Sequence, residues 1–425
     1  MTRRWCFFRI LPFGVWVVTA VASLLLSVPA ARAHGMGDTP DIVLGMSAAF
    51  TGPSRSLGIE LYRGANAYFQ KINANGGVHG RRIRIKAYDD GYDPDPALRN
   101  TIRLVKEDHV FALFGYVGTP TTTRILPLLE KFRDQPLLLF FPMTGAQPLR
   151  ESPYRQHIFN LRASYFQETQ RLVESFLSVG RERIGVLYQA DAYGRNGWDG
   201  VRRTLREYNL QLTGEACYRR GATAATDMTE QIRILRQSGA EAVITVGAAQ
   251  ACAAFIRQAR TRGWEVPIAN LSFTHAQQMA NFLLLNSDTY PDQLTRRVLN
   301  AHVVPNLQDT SIPVVREYRR AMDAANEDVP GHLLDTPYTP HSYDYVSFEG
   351  YLNAKLLVEM LRRTEPPLTP KRVRKSIYKH RRYTIGIGLP LFFGPEYNQG
   401  LDIIFFSTLR AGRVEPLRNW DAFSP

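Results

Sequence analysis

Short apolar runs alternate with segments of helical periodicity along most of this chain, which is the pattern of parallel α/β construction. Residues 42–48 form one apolar run. After the turn Thr51-Gly52-Pro53, the positions Leu57, Leu61, Ala65, Tyr68, Phe69 and Ile72 recur at the spacing of one helix face, and Asn75-Gly76-Gly77 ends the helix. Ile83, Ile85 and Ala87 then alternate with Arg82, Arg84 and Lys86, as a half-exposed strand requires. Strand-then-helix units are predicted over 110–134, 183–208 and 240–262, with a further strand at 136–141. The C-terminal part departs from this rhythm. A long helix is predicted at 341–362 and a shorter one at 369–379. A hairpin is predicted from 388–394 and 402–410 around Glu396 to Gly400.

The first residues read differently. Arg3, Arg4 and Arg9 precede an apolar run from Leu11 to Val28, and Ala31-Arg32-Ala33 supplies the small-x-small site of a signal peptidase. A membrane anchor is the competing reading, but the run is short for a span and Pro12, Gly14 and Pro29 interrupt it. Residues 1–33 are therefore expected to be a cleaved signal peptide. The mature chain would keep 392 of the 425 residues, enough for two domains, and be exported to the periplasm. No low-complexity linker separates the domains, so short hinge segments are expected between them.

Charge and cysteine content refine this picture. The first 33 residues carry four arginines and no acid, so cleavage takes the net charge from +13 to +9. The basic residues are scattered over solvated faces, which argues against nucleic acid and leaves a bias toward anionic ligands. Cys217 and Cys252 remain in the mature chain. An oxidising compartment permits a bridge, but two free thiols fit equally well.

Chemical signatures are sparse. HExxH, CxxC, Gly-x-Ser-x-Gly and phosphate-loop patterns are absent. His275 and His341 stand alone in sequence, so no metal set and no cofactor are expected. The acidic stretch Asp89 to Asp95 lacks the ligand spacing of a calcium loop and reads as a strand-to-helix turn. An enzyme is disfavoured, and an exported hydrolase is the weaker rival.

Several segments, taken in order, point to one family. They are Gly52-Pro53, Gly58, Gly64-Ala65, Ile72-Asn73, Gly76-Gly77, Gly80-Arg81 and Asp89-Asp90 with Asp93-Pro94. Gly115 to Thr122, Pro142 to Gly145, Asp191 to Gly194 and Phe255 to Arg260 continue the series. Together they resemble the solute-binding proteins of leucine/isoleucine/valine type that serve ABC importers. The resemblance implies two doubly wound parallel-sheet lobes joined by three crossover segments, the type I periplasmic-binding fold. Lobe one is expected over 41–160 and 304–385, lobe two over 161–303 and 386–425. It also implies a monomer that captures a small molecule and hands it to ABC permease subunits. A sensor feeding a receptor shares the fold and remains the rival role.

Ligands of such sheets lie at the carboxyl ends of strands, against helix N-termini. The loop Tyr116 to Pro120 is such a place. There Thr119 offers a hydroxyl, Pro120 suits the first helical position, and the helix end favours an anion. Capping of its own helix is the alternative role for Thr119. By resemblance, Thr119 matches a serine that holds a ligand carboxylate. Met143, Thr144 and Gly145 match a second contact loop, Leu57 a wall position, and Tyr193 a tyrosine that closes over the ligand. Tyr165 is a further wall candidate. Ala248 or Ala249 stands where the family has another tyrosine. Ser272 stands where it has the glutamate that pairs with an α-ammonium. A buried ammonium needs a compensating charge. The expected ligand therefore bears a carboxylate or polar head without an obligatory ammonium.

Overall fold

The computed structural model describes residues 40–132, 136–285, 290–325 and 329–425. The expected signal peptide, with its cleavage after Ala33, lies outside the described residues. No described helix is long and apolar enough to cross a membrane.

Two parallel sheets organise the chain. The first has five strands in the order Ile83–Asp89, Ile42–Ala48, Ala112–Phe114, Leu139–Phe140 and Ile158–Phe159, all parallel. The second has seven. Gly214–Tyr218, Ile184–Gln189, Ala242–Val246, Ile268–Asn270 and Val298–His302 run parallel, and Phe405–Arg410 and Arg413–Pro416 add two antiparallel edge strands. Strands at the centres of both sheets are fully buried and apolar except for Thr245 and Asn270, because helices cover both faces.

The helix Arg55–Ala74 buries the predicted face of Leu57, Leu61, Ala65, Tyr68, Phe69 and Ile72. Against it lies Tyr345–Arg362, which starts later than 341 because the Asp344 side chain accepts from the Val346 N–H and caps it. The two helices touch backbone to backbone. A Cβ on Gly64 would stand 1.7 Å from the Ser347 carbonyl oxygen, and one on Gly350 2.2 Å from that of Leu61. Only glycine fits at either point.

The predicted C-terminal hairpin does not form. Pro390–Phe392 pairs with Arg382–Thr384, and Phe405–Arg410 pairs with Val298–His302 and Arg413–Pro416. The segment between has other partners. Asn398 donates through its side chain to the carbonyls of Leu149, Arg155 and Ile158, and Gln399 forms a parallel bridge to Asn160. These bonds lay 398–401 along the edge of the first sheet before the chain enters the second. The chain passes between the two sheets three times: at 160–164, between His302 and Pro313, and after Phe393, whose ring still packs on Phe159 of the first sheet. The third passage thus falls later than residue 385. Cys217 and Cys252 are free thiols, the first exposed and the second buried.

Candidate functional site

Loops at the carboxyl ends of the strands of both sheets meet in one buried layer. From the first sheet come Ser56 and Leu57, the turn Asp89 to Tyr92, the loop 116–120 and the loop 141–145. From the second come Gln189 to Tyr193, Gly247 to Ala249 and Leu271 to His275. Gln189 reaches Tyr92 across the layer at 3.4 Å, and the rings of Tyr92 and Phe273 lie 5.7 Å apart.

The loops 116–120 and 141–145 are zipped together by Met143 N–H to Tyr116 O at 2.7 Å and Gly118 N–H to Met143 O at 3.2 Å. This register places Thr119 and Thr144 side by side, with their hydroxyls 2.7 Å apart and both side chains buried. The helix Thr119–Lys131 begins one residue earlier than expected, so Pro120 takes its second position and Gly118 caps it. Thr119 therefore does not cap its own helix. Its hydroxyl faces inward at the helix N-terminus, where the dipole favours negative charge.

Tyr165 opens the helix Tyr165–Ser178, held there by a capping box between Ser164 and Gln167. Its hydroxyl stands near those of Thr119 and Thr144, although it closes no hydrogen bond of acceptable geometry. Gly145 faces the same ring. A Cβ on Gly145 would lie 2.6 Å from Tyr165 Cδ1 and from its backbone nitrogen, so a threonine side chain is excluded there. From Tyr165 a run of rings crosses the layer to Tyr193 at 5.0 Å and on to Phe273 at 4.8 Å. The Tyr193 hydroxyl is also buried without a partner. Burial raises the pKa of both tyrosines, so both hydroxyls stay protonated and able to donate.

Ala248 and Ala249 begin the helix Ala249–Thr261 and are nearly buried. The room they leave is partly taken by Tyr218, whose hydroxyl accepts from the Ala248 N–H at 3.1 Å. Leu57 is buried in the first turn of its helix, and Met143 is fully buried behind the threonine pair.

Ser272 is not a free donor. Its N–H and hydroxyl both donate to Glu168, at 2.8 and 2.9 Å, and its oxygen accepts from Arg162 at 2.6 Å. Arg162 in turn lies 3.2 Å from Glu349. Arg162, Glu168 and Glu349 are all nearly buried, a network absent from the sequence reading. Burial pushes both carboxyls up, with Arg162 pulling each back. Burial would also depress Arg162, but Glu349, Tyr165 and Glu168 hold it above its ordinary value, so the guanidinium is charged. Arg150 borders the network and donates to the carbonyls of Ala146, Arg162 and Ala163.

The acidic turn is structural, as its proline content predicts. Asp89 accepts from Phe50, Thr51 and Gly91, and Asp93 caps the helix Pro94–Lys106. His275 and His341, by contrast, do not stand alone. They meet beside Asp344, brought together from positions far apart in sequence. Tyr92, Arg162, Glu168, Gln189 and Phe273 were missed as well. The one signal for Arg162 and Glu168 is a charge on either side of Tyr165 within apolar surroundings.

Surface hollows lie elsewhere. One of about 540 Å³ borders Gln70, Lys71, Glu317 and Arg320, and one of about 610 Å³ borders Arg155, Lys371 and Arg374. Neither touches the buried layer.

Two parallel sheets presenting their strand ends to a shared, polar-lined interior define a two-lobed binding protein. The chain belongs to the periplasmic binding protein family, whose sequence profile matches residues 41–413. An amino acid binding protein of Pseudomonas aeruginosa is 25% identical over 57% of this chain and 63% of its own length. The Leu/Ile/Val-binding protein of Escherichia coli K12 is 23% identical over 64% of this chain and 74% of its own. The chain thus spans less than two thirds of the former relative. A solved structure, described as a possible leucine/isoleucine/valine-binding protein from Rhodopirellula baltica SH 1, superposes with a TM-score of 0.79. That match has 28% identity and covers 90% of this chain and 98% of the other. The fold is that of type I periplasmic binding proteins. Members of the family bind small solutes and are not enzymes.

Proposed function

We propose that this chain is an exported solute-binding protein of an ABC importer, which closes on a small molecule bearing a carboxylate or similar polar head and delivers it to a membrane permease. The observation that carries the reading is the group of buried hydroxyls at one helix N-terminus. Thr119, Thr144 and Tyr165 converge there, and the hydroxyls of Tyr165 and Tyr193 lack partners. Buried donors without acceptors mark the place where a ligand atom belongs. A carboxylate matches both the donors and the helix dipole. In this reading the rings of Tyr193 and Phe273 and the side chain of Leu57 form the wall for the remainder.

An amino-acid ligand is the second reading, favoured by Glu168. Its carboxylate reaches Ser272, where the family glutamate is expected. Against it, Arg162 already neutralises Glu168, so an ammonium would have to compete with a guanidinium. Native mass spectrometry of protein purified from its source weighs any retained ligand. Calorimetry against leucine, valine and their deaminated keto and hydroxy acids then separates the readings. The first expects the deaminated acids to bind. Tight leucine binding that rejects them and is lost in Glu168→Gln establishes the second.

A further inference from the structure

His275, His341 and Asp344 lie outside the solute layer's hydroxyl cluster, yet their geometry is that of a ligand set. One ligand atom from each falls within 4.8 Å of the others. His275 Nε2 stands 2.8 Å from Asp344 Oδ2, and the two imidazole rings are 5.6 Å apart. We propose that these three side chains form a binding site for a divalent transition-metal ion of the zinc class.

Three observations carry this beyond proximity. First, the donor chemistry fits: two imidazoles and a carboxylate suit a borderline ion, and three protein ligands leave a fourth position for water. Ligand bonds of about 2.0–2.2 Å separate tetrahedral ligand atoms by roughly 3.3 Å, so His275 and Asp344 need open by only about half an ångström.

Second, the supporting contacts are already in place. His275 Nδ1 is engaged by Ser56 Oγ at 2.9 Å, which aims Nε2 at Asp344. His341 Nε2 is engaged by Gln278 Oε1 at 3.0 Å. An oxygen there requires the N–H on Nε2 and leaves Nδ1 with its lone pair. Asp344 Oδ1 is fixed by the Val346 N–H at 2.7 Å, so Oδ2 is the ligand atom. Metal-binding histidines are oriented in this way by the bond that the other ring nitrogen makes.

Third, the local charge admits a cation, which would displace the proton shared between His275 and Asp344. Glu60 is paired with Arg63 at 2.8 Å, whereas the ion pair formed by buried Asp344 is to a histidine. Half-buried His341 gives an ion a path from solvent.

His275 follows the strand Ile268–Asn270 of the second sheet. His341 and Asp344 lead into the helix packed on Arg55–Ala74 of the first. A bound ion would therefore join the two halves. The test needs no solute, so it is independent of the proposed transport role. Untagged protein, stripped with a chelator, is titrated calorimetrically with Zn²⁺ near neutral pH, and Co²⁺ serves as the spectroscopic probe.

One equivalent is expected to bind with a Kd of about 1 μM or tighter. Co²⁺ is expected to give the intense visible bands of a four- or five-coordinate ion. His341→Ala, chosen because that side chain is half-exposed and its loss spares the fold, is expected to weaken binding at least tenfold. Asp344→Asn is expected to do the same, and His380→Ala, on the exposed far surface, to change nothing. Absence of binding by the native chain overturns the proposal. So does binding whose affinity is the same in His341→Ala and Asp344→Asn as in the native protein.

Discussion

Replacing Arg162 with methionine tests whether the buried charge network is the keystone between the crossover at 160–164 and the second sheet. The side chain is nearly inaccessible, 3.2 Å from Glu349 and 2.6 Å from the Ser272 hydroxyl. Methionine fills much of the volume but leaves Glu349 without a cation and removes the counter-charge of Glu168. Removing one partner of a buried pair strands the other and typically destabilises by about 3–5 kcal/mol. At roughly 2–4 °C per kcal/mol for a domain of this size, the melting temperature falls by about 10 °C.

The pH dependence follows from the sign of the carboxyl shifts. Burial already raises Glu349 and Glu168, and without Arg162 both move further up. An acid raised in the folded state contributes stability that is full below its unfolded value of about 4.3 and is lost as pH rises through the folded value. The deficit of Arg162→Met relative to the native protein is therefore larger at about pH 8 than at about pH 5. Its slope is at most roughly 1.4 kcal/mol per pH unit for each carboxyl. The double variant Arg162→Met/Glu349→Gln removes one of the two stranded charges and recovers about 2 kcal/mol. Urea unfolding of ligand-free protein, followed by circular dichroism, gives all four corners of the cycle. A loss below about 1 kcal/mol, or a deficit equal at both pH values, refutes the reasoning.

Thr119→Val removes a buried hydroxyl from the proposed carboxylate site and is expected to weaken solute binding by roughly tenfold to a hundredfold in calorimetry. Unchanged affinity would remove Thr119 from the site. Asp90, held against Ser47 and the Tyr92 N–H, is pushed up to about 7 chiefly by burial, so its penalty grows as pH rises from about 4 to that value. Asp90→Asn is expected to stabilise the protein at about pH 8 and to have little effect near pH 4, read as urea midpoints. His302, buried against the Ser407 hydroxyl and stacked on Tyr345 at 3.6 Å, is pushed down to about 3 by burial. Stability therefore falls as pH drops below about 6.5, and His302→Gln is expected to flatten that slope between about pH 6.5 and 4. The mature protein is expected in the periplasmic fraction with His34 as its N-terminus. N-terminal sequencing that returns the full-length chain from membranes would contradict this.

The parallel sheets were legible because a strand buried on both faces must be apolar throughout, and the helices between them must show one buried stripe. Both patterns are local. The C-terminal hairpin misled because 388–394 and 402–410 do carry strand patterns, while their partners are chosen by distant groups. Three backbone carbonyls from 149 to 158 capture Asn398, and no periodicity reports that.

The same distinction governs the site. The threonine pair was legible because both members lie on loops that follow strands, where helix ends must point. The rest of the layer was not. Ser272 looks like a lone neutral donor in sequence, but a helix of the same half brings Glu168 onto it and a crossover segment brings Arg162. The missing family glutamate is thus answered by a charged pair whose members lie more than a hundred residues earlier in the chain. His275 and His341 look isolated in sequence for the same reason, since side chains that converge from distant segments have no sequence spacing. What a chain like this hides is the polar interior of its cleft. Contacts such as Gln189 to Tyr92 and Tyr92 to Phe273 exist only where the two sheets meet, and no local pattern reports them.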